Sequence, residues 1–477
     1  MQAADLILLL PFILVAAGAV TLMLVIAFYR NYTLSFGITL ASLAGALAAF
    51  IPKLGHPRTV LELVTSDSYG AFFSLLLLVA TTAVALMSYR YFRLRPGIRE
   101  EYYLLLLLAC LGALVLVNSS HMASLFLGLE ILGVSLYSLI SYQRKSDHGL
   151  EAGIKYLVLA GAASAFLLFG IALLYNEAGS MGFAEIASII GRPGGISAMG
   201  LAGSVLLLAG AGFKLGVVPF HMWTPDVYEG SPAPVTAFIA TVSKGSMFAL
   251  LVRFFAPVDF RGLLLIIFTL IAVASMLAGN LLALFQNNVK RLLAYSSIAH
   301  MGYTLVAFLS GGSLRVTAVT FYLLSYLISA MGAFGVVIAH SGPDREAGRI
   351  EDYRGLYARS PWITLVFSLF LISLAGLPLT AGFIGKFFVM RAGVGSHRWI
   401  LVISLIAGSA IGLFYYLRLL AVMYMPAGPV ETSAAPRYGL WQTATLALLA
   451  AGLVWLGLAP AGLIRIIGSV AAGMGGG

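Results

Sequence analysis

Apolar runs of about 20 residues follow one another along almost the whole chain, parted only by short polar breaks, and no other feature constrains the fold as strongly. A helix that crosses about 30 Å of hydrocarbon at 1.5 Å per residue needs that many apolar positions. Fourteen segments qualify: 5–29, 32–52, 69–89, 101–117, 121–142, 151–175, 199–220, 233–255, 262–284, 291–310, 315–340, 360–390, 397–425 and 439–467. The expected class is an all-α polytopic membrane protein of about 14 transmembrane helices. Composition agrees, with 61% hydrophobic and 10% charged residues, where soluble domains carry about 25% charged. The first run exceeds the roughly 7–15 residues of a signal-peptide core, so it reads as a permanent span. The longest polar stretch, 341–359, reads as an inter-helix loop, and the closing Gly-Met-Gly-Gly-Gly as a frayed tail.

The net charge of +10 resembles a nucleic-acid binder only in total, because the bases sit in short loops between spans, where they set topology. Loops after odd-numbered helices hold the larger share, including Arg30, Arg90, Arg93, Arg95, Arg99, Arg144 and Lys145. The other side holds fewer, including Lys53, Arg58, Arg192, Arg253 and Arg261. By the positive-inside rule the first side is cytoplasmic and both termini lie outside. A single cysteine, Cys110, excludes a disulfide framework and any cysteine-ligated zinc or iron–sulfur site.

Assigning every charge to a loop or a helix end leaves a short remainder. Among 28 lysines and arginines, Lys155, Lys214, Lys244 and Lys386 lie inside spans. Lys155, one turn in, can snorkel to the interface. Of 18 acids, the exception is Glu130, about nine residues into the fifth helix and so roughly 13 Å deep. Of seven histidines, His300 is the one clearly in mid-helix. Ionisable groups at membrane depth are costly and mark ion or proton paths. The candidate proton-transfer residues are therefore Glu130, Lys214, Lys244, His300 and Lys386. Other features read as structural. His121 starts a helix, Arg253 and Arg418 read as snorkelling ends, and Trp223 and Tyr228 fit an aromatic belt. The Gly210, Gly212, Gly216 run has the wrong spacing for a dinucleotide loop and follows no strand.

Two spans are broken. Lys214 lies five residues before Pro219, and the long segment 360–390 contains Pro378, Gly382 and Gly385 just before Lys386. Non-helical backbone at membrane depth is tolerated where protein or a watery cavity satisfies it, and paired broken helices point to a transport site. Ala211-Gly212-Phe213 before Lys214 echoes Ala381-Gly382-Phe383 before Lys386. Helices 7 and 12 are five apart and cross in opposite directions, which implies two inverted five-helix repeats, helices 4–8 and 9–13. The expected organisation is an N-terminal three-helix segment (1–100), a first repeat (101–256), a second (257–425) and a C-terminal helix and tail (426–477). Lys214 then lies toward the cytoplasmic end of its helix and Lys386 toward the outer end, with Lys244 and His300 between.

A buried ammonium has lost its hydration, which opposes its charge, and a nearby carboxylate supports it. At about 6 Å and an effective dielectric near 20 that support is roughly 2.8 kcal/mol. Moving one charge against the membrane potential costs about 2.3 kcal/mol per 100 mV. Lysine protonation in such a chain can therefore be switched by displacing its acid, and Glu130, the one deep acid, pairs best with Lys214.

The stretch 212–234, Gly-Phe-Lys-Leu-Gly-Val-Val-Pro-Phe-His-Met-Trp-Thr-Pro-Asp-Val-Tyr-Glu-Gly-Ser-Pro-Ala-Pro, resembles the signature of the antiporter-like membrane subunits of respiratory complex I and of Mrp-type cation/proton antiporters. The stretch 288–303, Asn-Val-Lys-Arg-Leu-Leu-Ala-Tyr-Ser-Ser-Ile-Ala-His-Met-Gly-Tyr, is similar to their tenth-helix signature. Residues 124–130, 149–156 and 382–387 look most like the N-type branch in bacterial NADH:quinone oxidoreductase. The resemblance covers roughly residues 100 to 425. It implies that Glu130 is the fifth-helix glutamate, Lys214 its seventh-helix partner, Lys244 the connecting lysine and Lys386 the exit-side residue. It further implies a proton-translocating role in the bacterial inner membrane, coupled to quinone reduction elsewhere. Implied partners are the other membrane-arm subunits and, through them, a peripheral NADH-oxidising arm carrying flavin and iron–sulfur clusters, with membrane lipids around it. No cofactor, metal or nucleic acid is expected on this chain itself. A Mrp-type antiporter subunit is the alternative, and a non-conducting scaffold a third reading.

Overall fold

The computed structural model describes residues 3–51, 58–60, 62–95, 97, 99–143, 146–192, 196–426 and 438–475. Lys53, Arg144 and Lys145 lie outside the described residues, and only the backbone of Arg58 is described. Twelve helices among the described residues are long and apolar enough to cross a membrane.

The chain opens with α1 (Ala3–Phe28) and α2 (Tyr32–Phe50). A two-stranded antiparallel hairpin, β1 (Arg58–Val60) and β2 (Val64–Ser66), then leads into α3 (Ser68–Arg93). It is a small exception to an otherwise helical molecule. Next come α4 (Glu101–Asn118), α5 (Met122–Ile140), α6 (Asp147–Ala178), the short α7 (Phe183–Ile190), α8 (Ala198–Leu215) and α9 (Trp223–Gly230). One further span consists of α10 (Ala233–Phe238), a π-helical turn (Ile239–Ser243) and α11 (Lys244–Phe254). Then follow α12 (Gly262–Leu284), α13 (Val289–Phe308), α14 (Gly312–His340), the one-turn α15 (Leu356–Arg359), α16 (Pro361–Ala375), α17 (Ala381–Gly395), α18 (Trp399–Tyr424), α19 (Leu440–Leu458) and α20 (Ala461–Gly475).

Sequence punctuation sets these limits. The side chain of Asp67 accepts the Gly70 N–H at the start of α3, and Ser197 and Asn288 do the same for α8 and α13. The C-terminal segment 439–467 is not one span: it breaks after Leu458, and α20 returns to pack on α14 and α3. Pro460 cannot continue the ladder there.

Burial sorts the helices. The α10–α11 span and α14 are enclosed on nearly every side, whereas α1, α2, α6 and α12 expose most of their apolar faces. The two central spans therefore run where no lipid reaches. Both expected breaks are present. α8 stops at Gly216 (φ 68°) and α16 at Gly376 (φ 82°), left-handed positions that glycine occupies without strain. The freed backbone groups find partners, as membrane depth requires. Val217 N–H bonds Gly212 O at 3.1 Å, and Leu377 N–H bonds Ile372 O at 3.1 Å. Val218 N–H donates to Ser275 Oγ at 2.9 Å, and Gly382 N–H to Ser373 Oγ at 3.1 Å.

Four side chains depart from expectation. Arg253 does not snorkel: it forms a bidentate pair with Asp67 (2.6 and 2.8 Å), tying the end of α11 to the start of α3. Arg418 likewise turns inward, onto Leu284 O, the last carbonyl of α12, and Gln286 O just beyond the helix. Trp223 and Tyr228 are buried, with no place in an aromatic belt, because α9 folds back under the break of α8.

Candidate functional site

The five candidates lie on five different elements, which the fold gathers along one line. Lys214, two residues before the Gly216 break, is buried and its Nζ donates to Tyr156 Oη at 3.2 Å. Glu130 on α5 is half-buried and accepts from Ser164 Oγ of α6 at 2.6 Å. The two make no direct ion pair. Beside Lys214 lies a cavity of about 10 Å³, lined also by Tyr156, Gly210 and the Glu130 partner Ser164 among others, at the lower limit for one water. Tyr156 and Ser164 were not singled out from sequence, since a lone hydroxyl in an apolar run carries no signal by itself.

Lys244 begins α11 directly after the π turn and is fully buried. Its Nζ donates to Ser297 Oγ at 2.6 Å and lies 5.5 Å from the ring of Tyr228. Gly216 brings the first break up to this lysine: a Cβ there would stand 3.3 Å from Lys244 Nζ and 2.4 Å from Thr224 Oγ1. The Thr224 hydroxyl is buried without a hydrogen-bond partner among the described residues. Buried polar groups are nearly always bonded, to protein or to ordered water. The Gly216 notch is thus a polar seat between the two lysines.

The Ser296-Ser297 pair on α13 carries the line onward. Ser296 Oγ bonds Tyr416 Oη of α18, which meets His300 Nε2 at 3.3 Å. His300 Nδ1 and Tyr322 Oη of α14 are 2.7 Å apart. His300 is thereby held between two tyrosines, with both ring nitrogens engaged. The run Tyr-Ser-Ser-Ile-Ala-His at 295–300 puts Ser296, Ser297 and His300 on one helix face at spacings of three and four. That spacing was readable in the sequence; the partners Tyr322 and Tyr416, on other helices, were not.

Lys386 sits on α17, and its ammonium turns back across the second break. Nζ donates to Ala375 O at 2.8 Å, one of the last carbonyls of α16, and lies 5.1 Å from the Tyr303 ring. Gly376 makes room, since a Cβ there would come within 2.6 Å of Lys386 Cδ. The echo of Ala211–Phe213 in Ala381–Phe383 does not mark equivalent places: the first triplet precedes its break and the second follows it. Superposing the breaks on Gly216 and Gly376 sets Lys214 opposite Leu374.

Lys155 pairs at the surface with Glu151 (2.7 Å) and Asp226 (3.0 Å), and His121 caps α5 through Nδ1, so neither joins the line. Among the described residues no cluster of three or more His, Cys, Asp or Glu side chains could hold a metal.

With that geometry in view, the comparisons with known proteins are decisive. The family described as NADH:quinone oxidoreductase/Mrp antiporter, TM, matches residues 119–412. The chain belongs to this family. Within the NADH:quinone oxidoreductase/Mrp antiporter family, it is 48% identical over 479 residues to NADH-quinone oxidoreductase subunit N of Methylococcus capsulatus, covering 97% of this chain and 94% of that protein. A chain of respiratory complex I from Thermus thermophilus, solved with bound aureothin, superposes with a TM-score of 0.83 at 35% identity, covering 95% of this chain and 98% of that one. The Mrp complex from Dietzia sp. shares the fold, with a TM-score of 0.88 over 99% of this chain and 98% of that one, at 21% identity. The family's matched region holds Glu130, Lys214, Lys244, His300 and Lys386 together.

Proposed function

We propose that this chain carries protons across the membrane as a membrane-arm subunit of an NADH:quinone oxidoreductase, through Glu130, Lys214, Lys244, His300 and Lys386. One observation supports the reading: Lys214, Lys244, His300 and Lys386 are all buried, Glu130 is half-buried, and Glu130, Lys214, Lys244 and His300 each meet a hydroxyl group carried by another helix. Buried charges of this kind cost folding energy and persist where function needs them. The 48% relative supports the redox-driven reading over the Mrp alternative, for which the likeness is one of fold.

In this reading redox chemistry, with flavin, iron–sulfur clusters and quinone, belongs to partner subunits. The chain lies in the bacterial inner membrane with both termini on the outer side. The Lys214 end opens toward the cytoplasm and the Lys386 end toward the outside. The segments 1–100, 101–256, 257–425 and 426–477 are the working units, the middle two being inverted repeats about the paired breaks. Glu130 displaces or approaches Lys214 and so sets whether Lys214 holds its proton.

Lys214→Ala and Glu130→Ala in the assembled complex test this. Proton uptake by membrane vesicles respiring on NADH should fall by about 10²-fold or more, the usual worth of a positioned proton donor. Unchanged pumping in both would establish the scaffold reading instead. Purification of the chain with no NADH-oxidising subunits would favour the antiporter.

A further inference from the structure

The C-terminal turn of α3 forms a second polar site, unconnected with the lysine line. Tyr89, Arg90, Arg93 and Leu94 face Leu440 and Trp441 of α19 across a cavity of about 360 Å³. Arg90 is half-buried and Arg93 exposed. Neither guanidinium has a hydrogen-bond or carboxylate partner among the described residues; Arg93 has only the Tyr89 ring, 5.9 Å away. Other arginines at this end are engaged. Arg30 pairs with Glu101 at 2.7 Å, Arg291 with Asp226 at 2.8 Å, and Arg95 donates to Tyr91 O and Gly342 O.

The crevice is held in shape. The stem of Arg90 runs across Gly439, where a Cβ would come within 2.8 Å of Arg90 Cδ. Gln442 Nε2 bonds Met87 O at 3.2 Å and fixes the start of α19 against α3. Trp441 leans toward Phe36, 6.4 Å between ring centroids. Below the arginines, the exposed Leu440 and Leu448 continue an apolar surface down α19 toward the bilayer centre.

Two unpaired guanidinium groups call for an anion and match phosphate oxygens in a planar, two-pronged way. Trp and Tyr beside them belong at the headgroup level. An apolar wall beneath calls for acyl chains. We propose that this crevice binds an anionic phospholipid, its phosphate between Arg90 and Arg93, its glycerol region against Trp441 and its chains along Leu440 and Leu448. Basic pockets between transmembrane helices hold acidic headgroups in this manner. A free phosphate ion would use the same guanidinium groups but gain nothing from Trp441 or the leucines.

The test is phospholipid retention by the purified, detergent-solubilised complex, read by native mass spectrometry after exchange into phosphatidylglycerol or phosphatidylcholine. Wild type should retain phosphatidylglycerol selectively at this subunit. Arg90→Gln/Arg93→Gln should weaken retention roughly thirtyfold, at about fivefold per arginine. Trp441→Ala should weaken it with the charge intact, and it remains informative if the double variant fails to assemble. Millimolar inorganic phosphate should not displace the lipid. Equal retention of both lipids, unchanged retention in both variants, or displacement by phosphate would each overturn the proposal.

Discussion

At the scale of single residues, three of the deep candidates meet hydroxyl neighbours and no carboxylate among the described residues. Lys214 meets Tyr156, Lys244 meets Ser297, and His300 lies between two tyrosines. Thr224 extends this rule. Its unpaired hydroxyl faces the Gly216 notch beside Lys244. Thr224→Val keeps the shape and removes the hydroxyl, so NADH-driven pumping in vesicles should drop severalfold, while Thr224→Ser should stay near wild type. Equal rates for the two would assign Thr224 to packing. The Asp67–Arg253 pair belongs to stability. Burial opposes the Asp67 charge, but Arg253 and the Gly70 N–H outweigh it and hold the carboxyl below its ordinary range. A carboxyl depressed in the fold contributes stability that is complete above its unfolded value, about 3.9, and is lost as pH falls through the lower folded value. Detergent melting temperatures should therefore hold down to about pH 5 and decline below about pH 4. Asp67→Asn should lower the melt at neutral pH and remove that part of the decline. The five candidate proton-transfer residues were legible because each is an ionisable group inside an otherwise uncharged run. Tyr156, Ser164, Tyr322 and Tyr416 were not, because a hydroxyl within a span usually bonds its own helix, and only the fold shows which ones turn across to another.

At the scale of elements, the two helix breaks do the positioning. Each ends on a left-handed glycine and brings a lysine ammonium against it, Lys244 at Gly216 and Lys386 at Gly376. Alanine in that conformation costs about 1–2 kcal/mol, and at Gly216 its methyl would also strike Thr224. Gly216→Ala should therefore depress pumping in the assembled complex. Gly161→Ala on α6, where a methyl meets nothing, should leave pumping unchanged. Proline and glycine in the sequence announced both breaks. The three-residue echo, however, suggested a false alignment of the lysines, because short Ala-Gly-Phe strings suit any close helix contact. The end of the last long run is not legible in the sequence either: apolar residues continue through 459–460, and only the turn at Pro460 separates α20 from α19.

At the scale of the whole molecule, one polar knot binds distant segments. Lys290 at the start of α13 is buried against Glu346, which also accepts from Tyr91 of α3 and from the Ala233 N–H of α10, while Lys290 donates to Ser231 O. The sequence showed these only as loop charges, since the loop 341–349 folds inward over the helix ends. Burial opposes the Glu346 charge and Lys290 outweighs it. Glu346→Gln leaves a buried ammonium unpaired, a loss of about 3–5 kcal/mol. The chain should then be depleted from the purified complex. The double replacement Lys290→Met/Glu346→Leu should restore part of its content, since an apolar pair avoids the unpaired charge but leaves Tyr91, the Ala233 N–H and Ser231 O without their partners.

The π turn at Ile239–Ser243 gives the same architecture an adjustable joint. Such a turn holds one residue more than the regular helix it interrupts. The wider turn takes up that residue locally, so Lys244 and the rest of α11 keep their phase against Ser297. Loss of one residue within Ile239–Ser243 would close the swelling into regular helix and leave the enclosed span beyond it packed as it is. Chains with this same outline can therefore loosen or tighten the backbone beside their buried lysine by one residue, with the surrounding helices left as they were.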